Sequence, residues 1–340
     1  MRYINIPEPG RVEIKEKEMP AAGEGEALLK ILYGGICGSD LGTYKGSFLY
    51  AKYPRIPGHE FSAEIVGIGK SESGLKKGMI VTANPYFNCG TCYSCRRGYV
   101  NCCTGNQTLG SQRDGAFLEF ITLPVERIYD AKGLSPRSAA LIEPFCIGHH
   151  AVKRAEVGPG DRVLVVGAGT IGVLAAVAAK LAGARVYISD VAQTKLDMVG
   201  RFGLDGTILN TDEKAFAARV AEVTGGDGFD VCIEAVGLPS TFMNCINAAA
   251  FRGRVVVAGI GKTSVDFHYS VLQTKELDVF GSRNALKADF LELIDIVRSG
   301  RVDLESIITG EYAFDDAERA FSDFKNRGNE MLKVMIKFPA

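Results

Sequence analysis

Residues 163–172 read V-L-V-V-G-A-G-T-I-G, and no other segment constrains the fold of this chain as tightly. An apolar run stops at glycines in G-x-G-x-x-G spacing and resumes as an apolar helical stretch over 170–181. With 40 glycines in 340 residues the spacing alone means little, but its setting between strand and helix is the one the motif requires. Gly167 permits a tight turn, Gly169 lets the backbone approach a pyrophosphate, and Gly172 lets helix and strand pack closely. Thr170 and Ile171 open the helix, whose free N–H groups favour phosphate.

The rest of 147–282 follows the same pattern. Strands are predicted at 162–166, 185–189, 207–209, 230–234 and 254–258, with helices at 170–181, 195–202 and 241–250. This alternation implies βαβ units and a doubly wound parallel sheet, an α/β domain. The second strand ends at Asp190, eighteen residues past Gly172. A carboxylate there accepts both hydroxyls of an adenosine ribose and repels a 2′-phosphate, so NAD is expected rather than NADP. Lys195 follows as a flank for the adenosine.

The first 146 residues instead carry short apolar runs at 27–32, 63–66, 79–83 and 117–123, the signature of irregular β-structure. Beyond Gly281, helices are predicted at 285–298 and 314–324 and a closing strand at 332–338. A closing strand that returns to the β-rich part makes that domain discontinuous: 1–146 with 283–340, around a nucleotide domain at 147–282.

Nine cysteines are present, and Cys89, Cys92, Cys95 and Cys103 fall within fifteen residues, inside a lobe at 86–105. Disulfide frameworks belong mostly to small secreted domains, and the N-terminal segment lacks the apolar core of a signal peptide. Metal binding is the better reading. Four thiolates suit a tetrahedral structural zinc, and the short regular spacing fits zinc better than an iron–sulfur cluster. Cys102 leaves the last ligand ambiguous; Cys103 is taken. A closed four-thiolate shell has no place for substrate.

The 39 basic and 40 acidic residues give a net charge of −1, which offers nucleic acid or an anionic membrane no general attraction. The most apolar stretch, 170–179, is half of the about 20 residues needed to span a bilayer. A cytoplasmic protein acting on small molecules is expected.

Three further segments carry weight together: Gly35-Ile36-Cys37-Gly38-Ser39-Asp40, Pro57-Gly58-His59-Glu60 and Leu141-Ile142-Glu143-Pro144. With the glycine loop and the cysteine lobe, they make the whole chain resemble the zinc-containing medium-chain alcohol and polyol dehydrogenases. The likeness is strongest to the branch of sorbitol, threonine and sugar-acid (L-galactonate-type) dehydrogenases. It implies a GroES-like β-barrel catalytic domain plus a Rossmann domain, two zinc ions per subunit, NAD, and a homodimer or homotetramer. It implies oxidation of a secondary alcohol on a polyol or sugar acid, an aldonate being favoured and a neutral polyol or amino alcohol the alternative.

Carried over by position, Cys37 and His59 ligate a catalytic zinc, and Glu143 stands where well-known relatives have a second cysteine. Glu60 ligates directly or exchanges with Glu143 or water. Asp40 matches a carboxylate that hydrogen-bonds the imidazole, and Ser39 a hydroxyl that begins proton relay. The stretch around Phe117 matches a substrate-pocket segment, where Arg113 is placed to meet a carboxylate; the plain alternative is a surface arginine. Ser282, Arg283 and Asn284 match a stretch near nicotinamide and substrate, although Arg283 also suits an interdomain salt bridge. The chain departs from the family in Gly42 and Gln112, where histidines are common, and in Thr170, where proline is usual. Zinc-free reductases of this fold should lack Cys37, His59 and Glu143 together. A non-enzymatic NAD- or zinc-binding protein would have a closed shell, against which Ser39 and the mixed ligands argue.

Overall fold

The computed structural model describes residues 1–69 and 73–339. Two compact units form, Pro144–Ala285 and the pair Met1–Glu143 with Leu286–Ala340. The sequence pattern puts these divisions at 146/147 and 282/283. The first of those falls inside a single helix, Ile142–Arg154, whose backbone runs on past the predicted boundary.

The unit 144–285 is built on six parallel strands. Their spatial order is Gly206–Leu209, Arg185–Asp190, Arg162–Val166, Phe229–Glu234, Ala249–Val257 and Asp278–Gly281. In chain order this is 3-2-1-4-5-6, the doubly wound arrangement that binds dinucleotides. Val163, Leu164, Val165, Val231, Cys232 and Ile233 are fully buried, as strands with both faces covered must be. Each such apolar side chain contributes about 1.5–3 kcal/mol on burial. Thr170–Leu181 is a helix over its full predicted length. Elements outside the sequence expectation include the short helix Ser270–Lys275 and two others. The helix Glu213–Thr224 is capped by the Asp212 side chain, which accepts from Ala215 N–H at 2.7 Å, and is closed by Gly225 in the left-handed region. The edge strand Asp278–Gly281 is the other.

In the other unit the long strand Glu26–Ile36 is the hub. It pairs antiparallel with Glu60–Ile68, with Phe120–Pro124 and with the closing strand Lys333–Lys337. The sheet extends through Ile80–Ala83 and Ile128–Asp130 on one side and through Ile308–Ala313 on the other. The closing strand does return to the β-rich unit, in register Val334↔Ile36. It therefore lies against the residue that precedes Cys37. The core between includes Ile4, Leu29, Ile31, Phe61, Phe117, Phe314, Phe321 and Ile336.

Within the unit 144–285, Gly148 lets two helices meet backbone to backbone: a Cβ there would sit 2.5 Å from the Ala175 nitrogen. In an exposed helix Gly→Ala stabilises by about 1 kcal/mol. At this contact the sign should invert, and Gly148→Ala should cost about 1–3 kcal/mol in urea unfolding. A stabilised variant would show that the helices part without cost.

Candidate functional site

At the C-terminal edge of the parallel sheet the glycine loop has the geometry its sequence implies. Gly167 has φ of 108°, and a Cβ on Gly172 would collide with the Gly167 carbonyl, so both positions demand glycine. Gly169 caps the helix with no side-chain bond and has open space where a Cβ would point. The helix N-terminus is thus approachable by an anion. Asp190 ends the next strand. One of its oxygens accepts the Ala168 N–H at 2.8 Å and the other the Ala192 N–H at 2.9 Å, which ties the carboxylate to the glycine loop. Lys195 lies half-buried in the following helix, Gln193–Val199. Ser282 donates its N–H to the Val257 carbonyl at 2.9 Å, just past the last strand, with exposed Arg283 and then Asn284 at φ 50°. All of these residues share one sheet edge because all six strands run parallel.

The other unit gathers Cys37, His59 and Glu60. Their donor atoms all lie within 4.8 Å of one another. Cys37 ends the hub strand and caps the helix Gly38–Lys45; His59 and Glu60 follow Gly58, whose φ of 97° turns the chain into the neighbouring strand. A Cβ on Gly35 would run into the Glu60 carboxylate, so the glycine keeps that space clear. Ser39 is half-exposed, two residues beyond Cys37.

Asp40 is placed differently from the expectation. Its carboxylate lies 3.9 Å from His59 Nδ1, too far for a hydrogen bond. Its oxygens instead accept the N–H groups of Cys37 and Gly58, each at 3.0 Å. It therefore fixes the backbone beside both side chains rather than the imidazole itself. Burial raises the Asp40 pKa, opposed by His59. Burial alone would lower the His59 pKa, but Cys37 and Asp40 outweigh it and hold it well above 6.5.

Glu143, buried at 2% exposure, stands outside the close trio. Its carboxylate accepts a hydrogen bond from the Tyr86 hydroxyl. Burial pushes its pKa up to about 7, against the pull of His59. Glu60 has a different partner. Lys333 on the closing strand is 1% exposed and donates to Glu60 at 2.5 Å and to the Ile36 carbonyl at 3.2 Å. Tyr86 and Lys333 are both missing from the sequence reading. The signal for Lys333 was a lysine inside L-K-V-M-I-K, because a charge on an apolar strand needs a partner. The sequence held no comparable signal for Tyr86.

The lobe brings Cys89, Cys92, Cys95 and Cys103 together, again with donor atoms within 4.8 Å, and leaves Cys102 exposed and outside. Backbone N–H groups already point at the sulfurs: Cys89 N–H donates to Cys103 Sγ at 3.2 Å and Cys92 N–H to Cys89 Sγ at 3.3 Å. Hydrogen bonds from Thr91 and Cys92 lower the Cys89 pKa to about 7, and those from Cys95 and Thr104 lower Cys92 to about 5. Four preset thiolate donors fit a tetrahedral thiophilic cation.

Two substrate-pocket expectations need correction. Phe117 has no exposed surface; its ring packs edge-on against Phe338 in the core, so it offers a ligand nothing. Arg113 is exposed, and its guanidinium lies 3.9 Å from the centre of the Phe87 ring, which Arg127 also covers at 4.3 Å. Neither residue joins the Cys37 cluster.

The chain matches the family models for the alcohol dehydrogenase GroES-like domain over 23–133 and for the zinc-binding dehydrogenase domain over 170–299. It is 36% identical to an L-galactonate-5-dehydrogenase of Escherichia coli (strain K12), over 99% of each chain. It is 32% identical to a sorbitol dehydrogenase of Halalkalibacterium halodurans, over 96% of each. A solved alcohol dehydrogenase of Escherichia coli CFT073, complexed with NADH, superimposes with a TM-score of 0.92 at 29% identity, over 99% of both chains. The chain belongs to the zinc-type medium-chain alcohol dehydrogenases, oxidoreductases that act on CH–OH groups. Among the described residues, no helix is long and apolar enough to cross a membrane.

Two measurements test this geometry. Lys333→Met strands the Glu60 charge in the interior and should cost about 3–5 kcal/mol of unfolding free energy; a loss below about 1 kcal/mol would show the pair to be dispensable. In metal-stripped protein at about pH 6, iodoacetamide should label Cys92 well before Cys95, because the thiolate is the nucleophile and burial pushes Cys95 up to about 11. Reloading with zinc should abolish the difference, and equal labelling rates would contradict the arrangement.

Proposed function

We propose that this chain is a zinc-dependent dehydrogenase that oxidises a secondary alcohol of a polyol or sugar acid with NAD, an L-galactonate-like aldonate being the favoured substrate. The observation that carries the reading is the trio of half-buried Cys37 with buried His59 and Glu60, three unlike donors within 4.8 Å. Three mixed protein ligands with a position left open are the mark of catalytic rather than structural zinc. The donor chemistry fits the ion, and the collected thiol and carboxylates would otherwise repel one another.

Cys37, His59 and Glu60 would hold the catalytic ion. When bound there it supplies Lewis acidity, which lowers a bound hydroxyl's pKa as it lowers that of water, from about 15.7 to about 7. Cys89, Cys92, Cys95 and Cys103 would hold a second, structural ion. Asp40 keeps the Cys37 and Gly58 backbones in place. Ser39 takes the hydroxyl proton and passes it outward. NAD, when bound, would supply the hydride acceptor. Gly167, Gly169 and the N-terminus of helix Thr170–Leu181 would bind its pyrophosphate, and Asp190 the adenosine ribose. Both Asp190 oxygens accept one backbone N–H, yet a carboxylate has about four acceptor positions, enough for two ribose hydroxyls as well.

The aldonate preference draws on the L-galactonate-5-dehydrogenase relative, and the polyol alternative on the sorbitol dehydrogenase. The reading includes a cytoplasmic homodimer or homotetramer. Four clustered cysteines that suit a metal rather than a disulfide framework support that compartment.

NADH formation across aldonates, neutral polyols and 3-hydroxy amino acids, with and without chelation, tests the proposal. Turnover on an aldonate that chelation abolishes is the expected result. Turnover restricted to neutral polyols would overturn the aldonate preference. No turnover from protein shown to hold zinc and NAD would overturn the enzymatic reading for these substrate classes. Asp190→Ser should raise NADP use relative to NAD by about tenfold or more, since it removes the charge that repels the 2′-phosphate. An unchanged ratio would mean that discrimination lies elsewhere.

A further inference from the structure

We infer that Tyr86 is a positioning residue that holds the Glu143 carboxylate out of the catalytic metal's ligand set and so keeps a coordination position free for substrate. The inference rests on the metal-site reading above and adds to it a residue and a direction of effect.

Two buried glutamates compete for one site. Glu60 lies in the trio with Cys37 and His59; Glu143 does not, although it is near enough to feel the charges of His59, Glu60 and Lys333. Each carboxylate has its own tether. Lys333 fixes Glu60, and the Tyr86 hydroxyl donates to Glu143 Oε1.

The phenol is rigidly mounted. Tyr86 is 6% exposed, and its strand residues Tyr86–Phe87 pair with Gln107–Thr108. Its N–H donates to Asn84 Oδ1 at 2.9 Å, and its carbonyl accepts from Arg127. Arg127 is itself anchored on Asn88 at 3.1 Å and on the Phe87 ring.

A neutral phenol satisfies one oxygen of Glu143 without cancelling its charge. Remove that donor and a buried carboxylate is left without its partner beside a cation site, so joining the metal becomes its best alternative. A fourth protein ligand would then close the shell, as in structural zinc sites. Tyr86→Phe should therefore tighten metal binding while it weakens substrate binding. A lesion that merely loosens the fold would weaken both.

Cobalt(II) in place of zinc gives a readout independent of turnover. Wild type, Y86F, E143Q and Y86F/E143Q are compared by visible d–d spectrum and by cobalt retention against a chelator. The lobe thiolates are common to all four, so differences report the Cys37 site. In Y86F the spectrum should change, and retention should tighten by about threefold or more. KM should rise by about tenfold with kcat within about threefold, the pattern of a lost open position. The double variant should return to the E143Q values, since the effect runs through Glu143.

An unchanged Y86F spectrum with unchanged retention overturns the inference, as does weakened retention. E143Q provides a check that does not depend on how Y86F folds. It should hold cobalt as wild type does, and a marked loss would mean that Glu143 is already a ligand. Wild type that takes up no cobalt beyond the lobe would overturn the site reading itself, and the inference with it.

Discussion

The buried ion pair of Lys333 and Glu60 joins the end of the chain to the turn that carries the site. Both side chains are 1% exposed. Taking two such charges out of water costs several kcal/mol per ion, recovered only when the geometry is good and remaining donors are satisfied. Lys333 meets that condition by also donating to the Ile36 carbonyl. One ammonium thus touches the residue before Cys37 and the residue after His59. The antiparallel register of Lys333–Lys337 on Glu26–Ile36 puts it there, and the absence of a side chain at Gly35 leaves the carboxylate its space. The pair is costly as stability alone. Its value lies in fixing where the Glu60 carboxylate sits.

The same region holds more acid than base. Cys37, Asp40, Glu60 and Glu143 cluster with His59 and Lys333. Burial raises Asp40 and lifts Glu143 to about 7, while neighbouring anions hold His59 well above its ordinary value. Each shift moves toward less net negative charge: burial drives the two acids, and neighbouring anions drive the histidine. A divalent ion resolves that imbalance without protons. The lobe shows the same preparation, with N–H groups aimed at sulfur and two thiols depressed.

What was legible in the sequence was whatever the backbone must obey locally. The strand Arg162–Val166 and the helix Thr170–Leu181 read correctly because an apolar run, a glycine turn and an apolar helix allow few alternatives. Cys37, His59 and Glu60 were identified by motif, and so were the four lobe cysteines. The helix Glu213–Thr224 was missed although Asp212 and Gly225 mark its ends, because its alanine-rich face gives a weak apolar stripe. Glu60 and Glu143 were indistinguishable in sequence, because what separates them is tertiary. One meets a lysine 273 positions further along the chain, the other a tyrosine 57 positions before it. Asp40 misled for a similar reason: its partners are two backbone N–H groups, which no side-chain motif records.

Arg113 shows how strand geometry limits a substrate argument. Tyr86 and Phe87 are consecutive in one short strand, and neighbouring side chains in a strand project to opposite faces. Tyr86 sends its hydroxyl to Glu143, so the Phe87 ring faces away from that carboxylate and carries Arg113 and Arg127 with it. The guanidinium expected to meet a sugar-acid carboxylate lies over an aromatic face instead. The proposed sugar-acid preference therefore draws on the L-galactonate-5-dehydrogenase relative, and Arg113 adds nothing to it.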